Sequence, residues 1–134
     1  MKNICLVLLV FGVFSCESSK NKTDLLLGTW DATWKLKDKE VLNIKGIDCA
    51  VMNGEISFDH NGQVKIRAFG HEGCIFSQDT MLNTMTWKLK QNKLEFITES
   101  GKTLFSYEVD DFQKEDIRLK LLNEVDLDLK RKNF

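Results

Sequence analysis

The sequence predicts an all-β fold, an antiparallel up-and-down barrel of about eight strands. Apolar and polar residues alternate over short segments, which is typical of strands with one buried face. Turns of two to five residues separate most of these segments, and short connections make consecutive strands antiparallel neighbours. From residue 24 onward, no segment has the 3.6-residue apolar period of an amphipathic helix.

The first predicted strand covers Thr29 to Lys37, where apolar residues share one face and polar residues share the other. The clearest hairpin begins with Ile56 and Phe58, which lead into the turn Asp59-His60-Asn61-Gly62. Asparagine and glycine tolerate positive φ, so they favour a tight turn at this point. The alternation resumes from Val64 to Ala68, which we interpret as the return strand.

Five further alternating segments complete the predicted fold. They cover residues 84–90, 94–96, 105–109, 117–121 and 125–129. Short strands with regular turns are typical of a barrel or a sandwich. Closing such a meander on itself removes the edge strands that otherwise promote aggregation, which favours the barrel.

The N-terminal residues have the composition of an export signal. A single lysine precedes an apolar run from Ile4 to Phe14, which is too short to span a membrane as a helix. The run ends in Val13-Phe14-Ser15-Cys16, which resembles the lipobox of bacterial lipoproteins. The resemblance implies removal of residues 1–15, lipidation of Cys16, and anchoring in the membrane of the bacterial cell envelope, at the outer membrane. The alternative is an ordinary signal peptide with Cys16 unmodified.

Residues 16–24 are small and polar and are interpreted as a tether, which leaves residues 25–134 for the barrel domain. In an oxidising compartment, Cys49 and Cys74 are expected to form a disulfide, worth about 3.5 kcal/mol by loop entropy. A zinc site including His71 is the alternative, but the spacing of its ligands matches no known zinc pattern. We therefore predict neither a metal nor a cofactor.

Several motifs occur together in a particular order. Leu27-Gly28-Thr29-Trp30 opens the first strand, and Thr86-Trp87-Lys88-Leu89 lies in a later one. A cysteine, the hairpin beginning at Phe58 and a second cysteine lie between them. This ordered set resembles the small lipocalin-like domains of bacterial lipoproteins, which are calycin-type barrels. The resemblance implies that Gly28 and Trp30 form the closed floor of the barrel.

Lipocalins also place an arginine from a late strand against this tryptophan. Arg118 is the only arginine on a predicted late strand, and the alternation directs its side chain away from Ile117 and Leu119. The terminal Lys130-Arg131-Lys132 is interpreted as a solvated basic end or, at most, a weak contact with anionic lipid.

Composition and motifs favour binding over catalysis. A net charge of −1 excludes a protein that coats nucleic acid, and no nucleophile elbow, phosphate-binding loop or zinc-protease motif occurs. We expect a non-enzymatic lipoprotein whose barrel binds a small hydrophobic ligand. The residues expected to line its cavity are aromatic: Trp34, Phe58, Phe96 and Tyr107. Alternatively, the aromatic residues only fill the core, and an apolar loop at Ile75-Phe76 contacts a protein or glycan partner.

Overall fold

The computed structural model describes residues 18–37, 50–72, 74 and 76–134. Within them lie one helix, α1, and eight strands. The elements are α1 (Ser18–Leu26), β1 (Gly28–Leu36), β2 (Val51–Phe58), β3 (Gln63–Phe69), β4 (Met81–Lys90), β5 (Lys93–Ile97), β6 (Thr103–Phe112), β7 (Asp116–Leu121) and β8 (Val125–Arg131).

The strands pair in chain order and close into a barrel, so the predicted antiparallel up-and-down topology is confirmed. The closing pair is β1 with β8, in a register that places Trp30 opposite Arg131 and Leu36 opposite Val125. Alternate residues of each strand point inward, and their apolar side chains form the core. Closure gives every strand a neighbour on both sides, although Met81–Met85 of β4 extend beyond the end of β5.

Helix α1 occupies most of the segment that the sequence pattern indicated as an irregular tether. Its polar composition gives little reason for a helix, and contacts at its C-terminal end explain why it forms. Leu26 is buried in the core, and the Arg131 side chain donates hydrogen bonds to the carbonyls of Leu25 and Leu27. Carbonyls at a helix C-terminus lack helical partners, so these bonds stabilise the end of α1.

The barrel has two different ends. At the closed end, β1 begins, Trp30 is fully buried, and the 59–62 hairpin joins β2 to β3. At the open end, β1 finishes at Leu36 and β4 begins at Met81. Residues 38–49, which join β1 to β2 at the open end, lie outside the described residues.

An ion-pair cluster on the outer surface joins β1, β7 and β8 across the closing seam. Asp128 contacts Lys35 at 2.7 Å and Arg118 at 3.3 Å. Arg118 therefore points outward, as the alternation predicted. Partial burial by itself raises the pKa of Asp128, but hydrogen bonds from Lys35 and Arg118 outweigh it and hold the pKa below its ordinary value.

Replacing Asp128 with asparagine is expected to lower the free energy of unfolding by about 0.5–1 kcal/mol at neutral pH. The folded-state pKa of Asp128 is depressed. Its stabilisation is therefore present above the unfolded value of about 3.9 and is lost as the pH falls through the folded value. Urea unfolding at neutral pH and at about pH 2 measures the effect, with Glu99→Gln in an exposed turn as the control. A destabilisation of the same size at both pH values would contradict this account.

Candidate functional site

An apolar cavity of about 170 Å³ lies at the open end of the barrel. It is bordered by Trp34 near the end of β1, by the start of β4 and by the end of β7. Its described lining residues are uncharged and carry mostly aliphatic, aromatic or thioether side chains: Trp34, Met52, Ile66, Ala68, Phe76, Met81, Asn83, Met85, Phe105, Tyr107, Leu121 and Val125.

Aromatic rings fill the barrel beneath this cavity. The Phe58 and Trp87 rings meet edge to face with centroids 5.3 Å apart, and the Phe96 ring lies 6.1 Å from Phe58. Phe96 in turn contacts Tyr107, with ring centroids 5.5 Å apart. These spacings are typical of packed aromatic pairs, so these side chains form a packed aromatic core beneath the cavity.

Of the four aromatic residues expected to line a cavity, two border it and two do not. Trp34 and Tyr107 border the cavity. Phe58 and Phe96 do not line it but lie in the core beneath it, with exposed fractions of 3% and 1%. Phe58 is the last residue of β2, so it lies at the closed end, whereas Trp34 lies about 13 Å further along β1 than Trp30.

The cavity wall is incomplete on the β4 side. Strand β4 pairs with β5 only from Thr86 onward, so Met81–Met85 extend beyond the end of β5. We call this gap in the β4–β5 pairing the β4 notch. Leu82 on β4 and Leu104 at the start of β6 are exposed apolar residues, at 72% and 52%.

One buried polar pair lies in the cavity wall. The indole Nε1–H of Trp34 donates to the hydroxyl oxygen of Tyr107 at 3.4 Å. Burial raises the pKa of Tyr107 above its ordinary value, although the hydrogen bond from Trp34 partly opposes this effect. The phenol is therefore neutral at physiological pH and retains its proton.

Gly28 and Trp30, the residues predicted to form the barrel floor, lie where β1 begins. Trp30 is fully buried, and its Nε1–H donates to the carbonyl of Leu26 at 2.7 Å. The Arg131 guanidinium lies 4.2 Å from the centroid of the Trp30 ring, a cation–π distance. Gly28 has φ +116°, and a Cβ there would lie 3.2 Å from Arg131 Nη1. Glycine therefore lets the chain enter the floor beneath the arginine.

Arg131 is a residue that the sequence interpretation missed. The sequence pattern places it in the basic end of the chain, but it is the last residue of β8 and contacts Trp30. The sequence does contain a pattern that indicates an inward position for Arg131, because Arg131 continues the alternation of the inward residues Val125, Leu127 and Leu129. Arg118 does not take this position.

Of the two cysteines in the predicted disulfide, only Cys74 is among the described residues. Cys74 is buried and forms no disulfide with another described residue, and its Sγ lies 4.0 Å from the carbonyl oxygen of Val51. Cys49 lies outside the described residues, so the pairing of Cys49 with Cys74 stays a prediction. Within the described ranges, His, Cys, Asp and Glu side chains form no group of three suited to a metal ion.

A thiol titration tests the pairing. A chain beginning at Glu17 contains only Cys49 and Cys74. After oxidative purification and denaturation, we expect no thiol to react until a reductant is added, because the two cysteines are then joined. A Cys49→Ser variant is the control, since it must release one reactive thiol. Two reactive thiols in the unreduced chain would contradict the disulfide.

Cys16, the predicted site of lipidation, also lies outside the described residues. No helix in the described part of the chain is long and apolar enough to cross a bilayer. No protein-family model matches the chain, and no curated protein matches it significantly.

Proposed function

We propose that this chain is a lipid-anchored protein of the bacterial cell envelope whose lipocalin-like barrel binds a small hydrophobic ligand, without catalysis. The observation that carries the proposal is the uncharged cavity of about 170 Å³ at the open end. Binding cavities are typically concave and mostly apolar, with a few polar groups that orient the ligand. The pair formed by Trp34 and Tyr107 supplies such groups.

The volume limits the size of the ligand. An apolar cavity of roughly 150 Å³ can hold one benzene molecule, whereas sites for drug-sized molecules occupy about 300–1,000 Å³. A cavity of about 170 Å³ therefore suits a single ring or a short alkyl chain rather than a long fatty acid. Phe58 and Phe96 support this limit, because they fill the space into which a longer chain would extend.

Methionine methyl groups give a direct test of binding. The chain from Glu17 contains all the described strands and buried residues. Its three methionines, Met52, Met81 and Met85, all line the cavity. With ¹³C-labelled methionine methyl groups, we expect toluene to shift all three resonances to saturation. The absence of any shift would show that the cavity does not bind an apolar ring.

A blocking variant distinguishes the cavity from non-specific contact. Ala68 is buried and lines the cavity, so the larger side chain of Ala68→Leu fills the space and is expected to weaken toluene binding at least tenfold. Lys65→Leu is the matched control, because it adds a leucine to the exposed outer face of the same strand. Equal loss of binding in both variants would contradict a site inside the barrel.

The anchor is tested separately. Cys16 lies two residues before α1, and the nine residues of α1 extend about 14 Å. A lipid on Cys16 would therefore join the chain on the N-terminal side of α1, whose C-terminal end contacts the closed end of the barrel. Metabolic labelling with a fatty-acid analogue is expected to mark the wild-type chain but not Cys16→Ser. Equal labelling of the two chains would contradict lipidation at this residue.

A second candidate function is an interaction protein that contacts its partner through the open end. The exposed Leu82 and Leu104 favour it, since exposed apolar side chains can form a contact surface. Of the predicted apolar loop at Ile75-Phe76, Ile75 lies outside the described residues, and Phe76 lines the cavity. This function becomes the better account if toluene does not bind.

A further inference from the structure

The hydroxyl group of Tyr107 has an unused hydrogen-bonding capacity. Tyr107 is 3% exposed, and its oxygen accepts the Trp34 indole N–H at 3.4 Å. A phenol can also donate one hydrogen bond. Among the described residues, no acceptor receives the Tyr107 O–H.

A buried O–H that no described residue accepts is a specific feature of this cavity. Leaving such a group unpaired is unfavourable, so buried donors are nearly always satisfied by protein, water or ligand. Both residues of the polar pair, Trp34 and Tyr107, line the cavity, so an acceptor held there is within reach of the hydroxyl. The bond from Trp34 also polarises the phenol, which strengthens its O–H as a donor.

The charges of the other residues in the cavity wall indicate the charge of the acceptor. None of the lining residues that the structure describes carries a cationic side chain. A carboxylate or phosphate placed there would be desolvated without a counter-charge, which is strongly unfavourable. Asn83, which also lines the cavity, is an uncharged polar group at the β4 notch. The wall therefore favours a neutral acceptor.

We propose that the ligand is a small neutral molecule with a carbonyl or ether oxygen on an apolar body, and that Tyr107 donates a hydrogen bond to that oxygen. This inference rests on the proposed binding function and deepens it by naming the chemical class of the ligand. The apolar body contacts the methionine and aliphatic wall formed by Met52, Met85 and Ile66. Tyr107 thus acts as the residue that selects ligands with an acceptor.

The test uses two ligands of the same shape, cyclohexanone and methylenecyclohexane, which differ only in an oxygen replaced by a CH₂ group. Their dissociation constants are measured by the methionine methyl shifts in the wild type and in Tyr107→Phe, which lacks only the hydroxyl. We expect Tyr107→Phe to weaken cyclohexanone binding about fivefold, as for loss of a neutral hydrogen bond. Methylenecyclohexane binding should change less than about twofold.

Ser106→Ala is the matched control, because it also removes one hydroxyl from β6 but on the outer face. It is expected to leave both dissociation constants unchanged. If Tyr107→Phe weakens the binding of both ligands equally, or of neither, the proposed hydrogen bond is refuted, but binding in the apolar cavity is not. If neither ligand shifts the methionine resonances of the wild type, the proposed binding function itself fails.

A second measurement needs no substitution. Tyr107 is the only tyrosine in the chain, so the ¹³Cζ resonance of labelled tyrosine reports this hydroxyl alone. Cyclohexanone is expected to shift that resonance by more than methylenecyclohexane does, because only the ketone accepts the O–H. Equal shifts with the two ligands would overturn the proposal even if Tyr107→Phe failed to fold.

Discussion

Replacing Trp30 with alanine is expected to lower the free energy of unfolding by about 3–5 kcal/mol, within the range for large-to-small changes in a core. The Trp30 ring is fully buried at the closed end, where its N–H bonds to the Leu26 carbonyl. Its loss would leave a cavity beneath the Arg131 guanidinium, which lies 4.2 Å from the ring centroid. The end of α1 and the closing pair of β1 with β8 would lose a shared contact.

Trp34→Ala is the comparison for this prediction. Trp34 lies on the same face of β1, but it borders an existing cavity and is 7% exposed. Its removal deletes fewer contacts, so it should cost less stability than Trp30→Ala and should weaken ligand binding more. Urea unfolding and methionine methyl titration of both variants measure these effects. Equal destabilisation by the two substitutions would contradict the assignment of floor and mouth.

Replacing Gly54 with alanine is expected to destabilise the barrel by about 3 kcal/mol, at the upper end of the range for overpacking. A Cβ at Gly54 would lie 2.2 Å from the Arg67 carbonyl oxygen, 2.9 Å from the Trp34 ring and 3.0 Å from Ala68 Cα. Two of these atoms belong to the backbone of β3, which cannot yield without disturbing the pairing of β2 with β3. The displacement would also move Trp34 in the cavity wall.

Gly62→Ala is the control for Gly54→Ala. Gly62 lies in the 59–62 turn with φ +82°, and no atom lies within 4 Å of the position where its Cβ would be. Alanine at position 62 therefore lowers the free energy of unfolding only through the strain of a left-handed backbone, by about 1–2 kcal/mol. Urea unfolding of both variants tests the difference, and the methyl resonances of Met52 and Met85 should move only in Gly54→Ala. If Gly54→Ala lowers the free energy of unfolding no more than Gly62→Ala does, the close approach of Gly54 to the β3 backbone is contradicted.

The sequence was most informative where the signal is local. Alternation along each strand and the short turns between strands depend on neighbouring residues, so the eight-stranded topology could be predicted. Helix α1 could not, because Ser18–Leu26 has little intrinsic tendency to form a helix. Its C-terminal end is held by Arg131, which is more than a hundred residues away in the chain.

Alternation alone determined which face of each strand is buried, including the inward positions of Trp30, Trp34, Phe58, Phe96 and Tyr107. The tertiary structure decided how deep each of these side chains lies. Depth depends on the stagger between strands, which the register of all pairs around the closed barrel determines. This register is a long-range property. It places Phe58 and Phe96 in a packed aromatic core, leaves Trp34 and Tyr107 beside a cavity, and brings Arg131 onto the floor tryptophan.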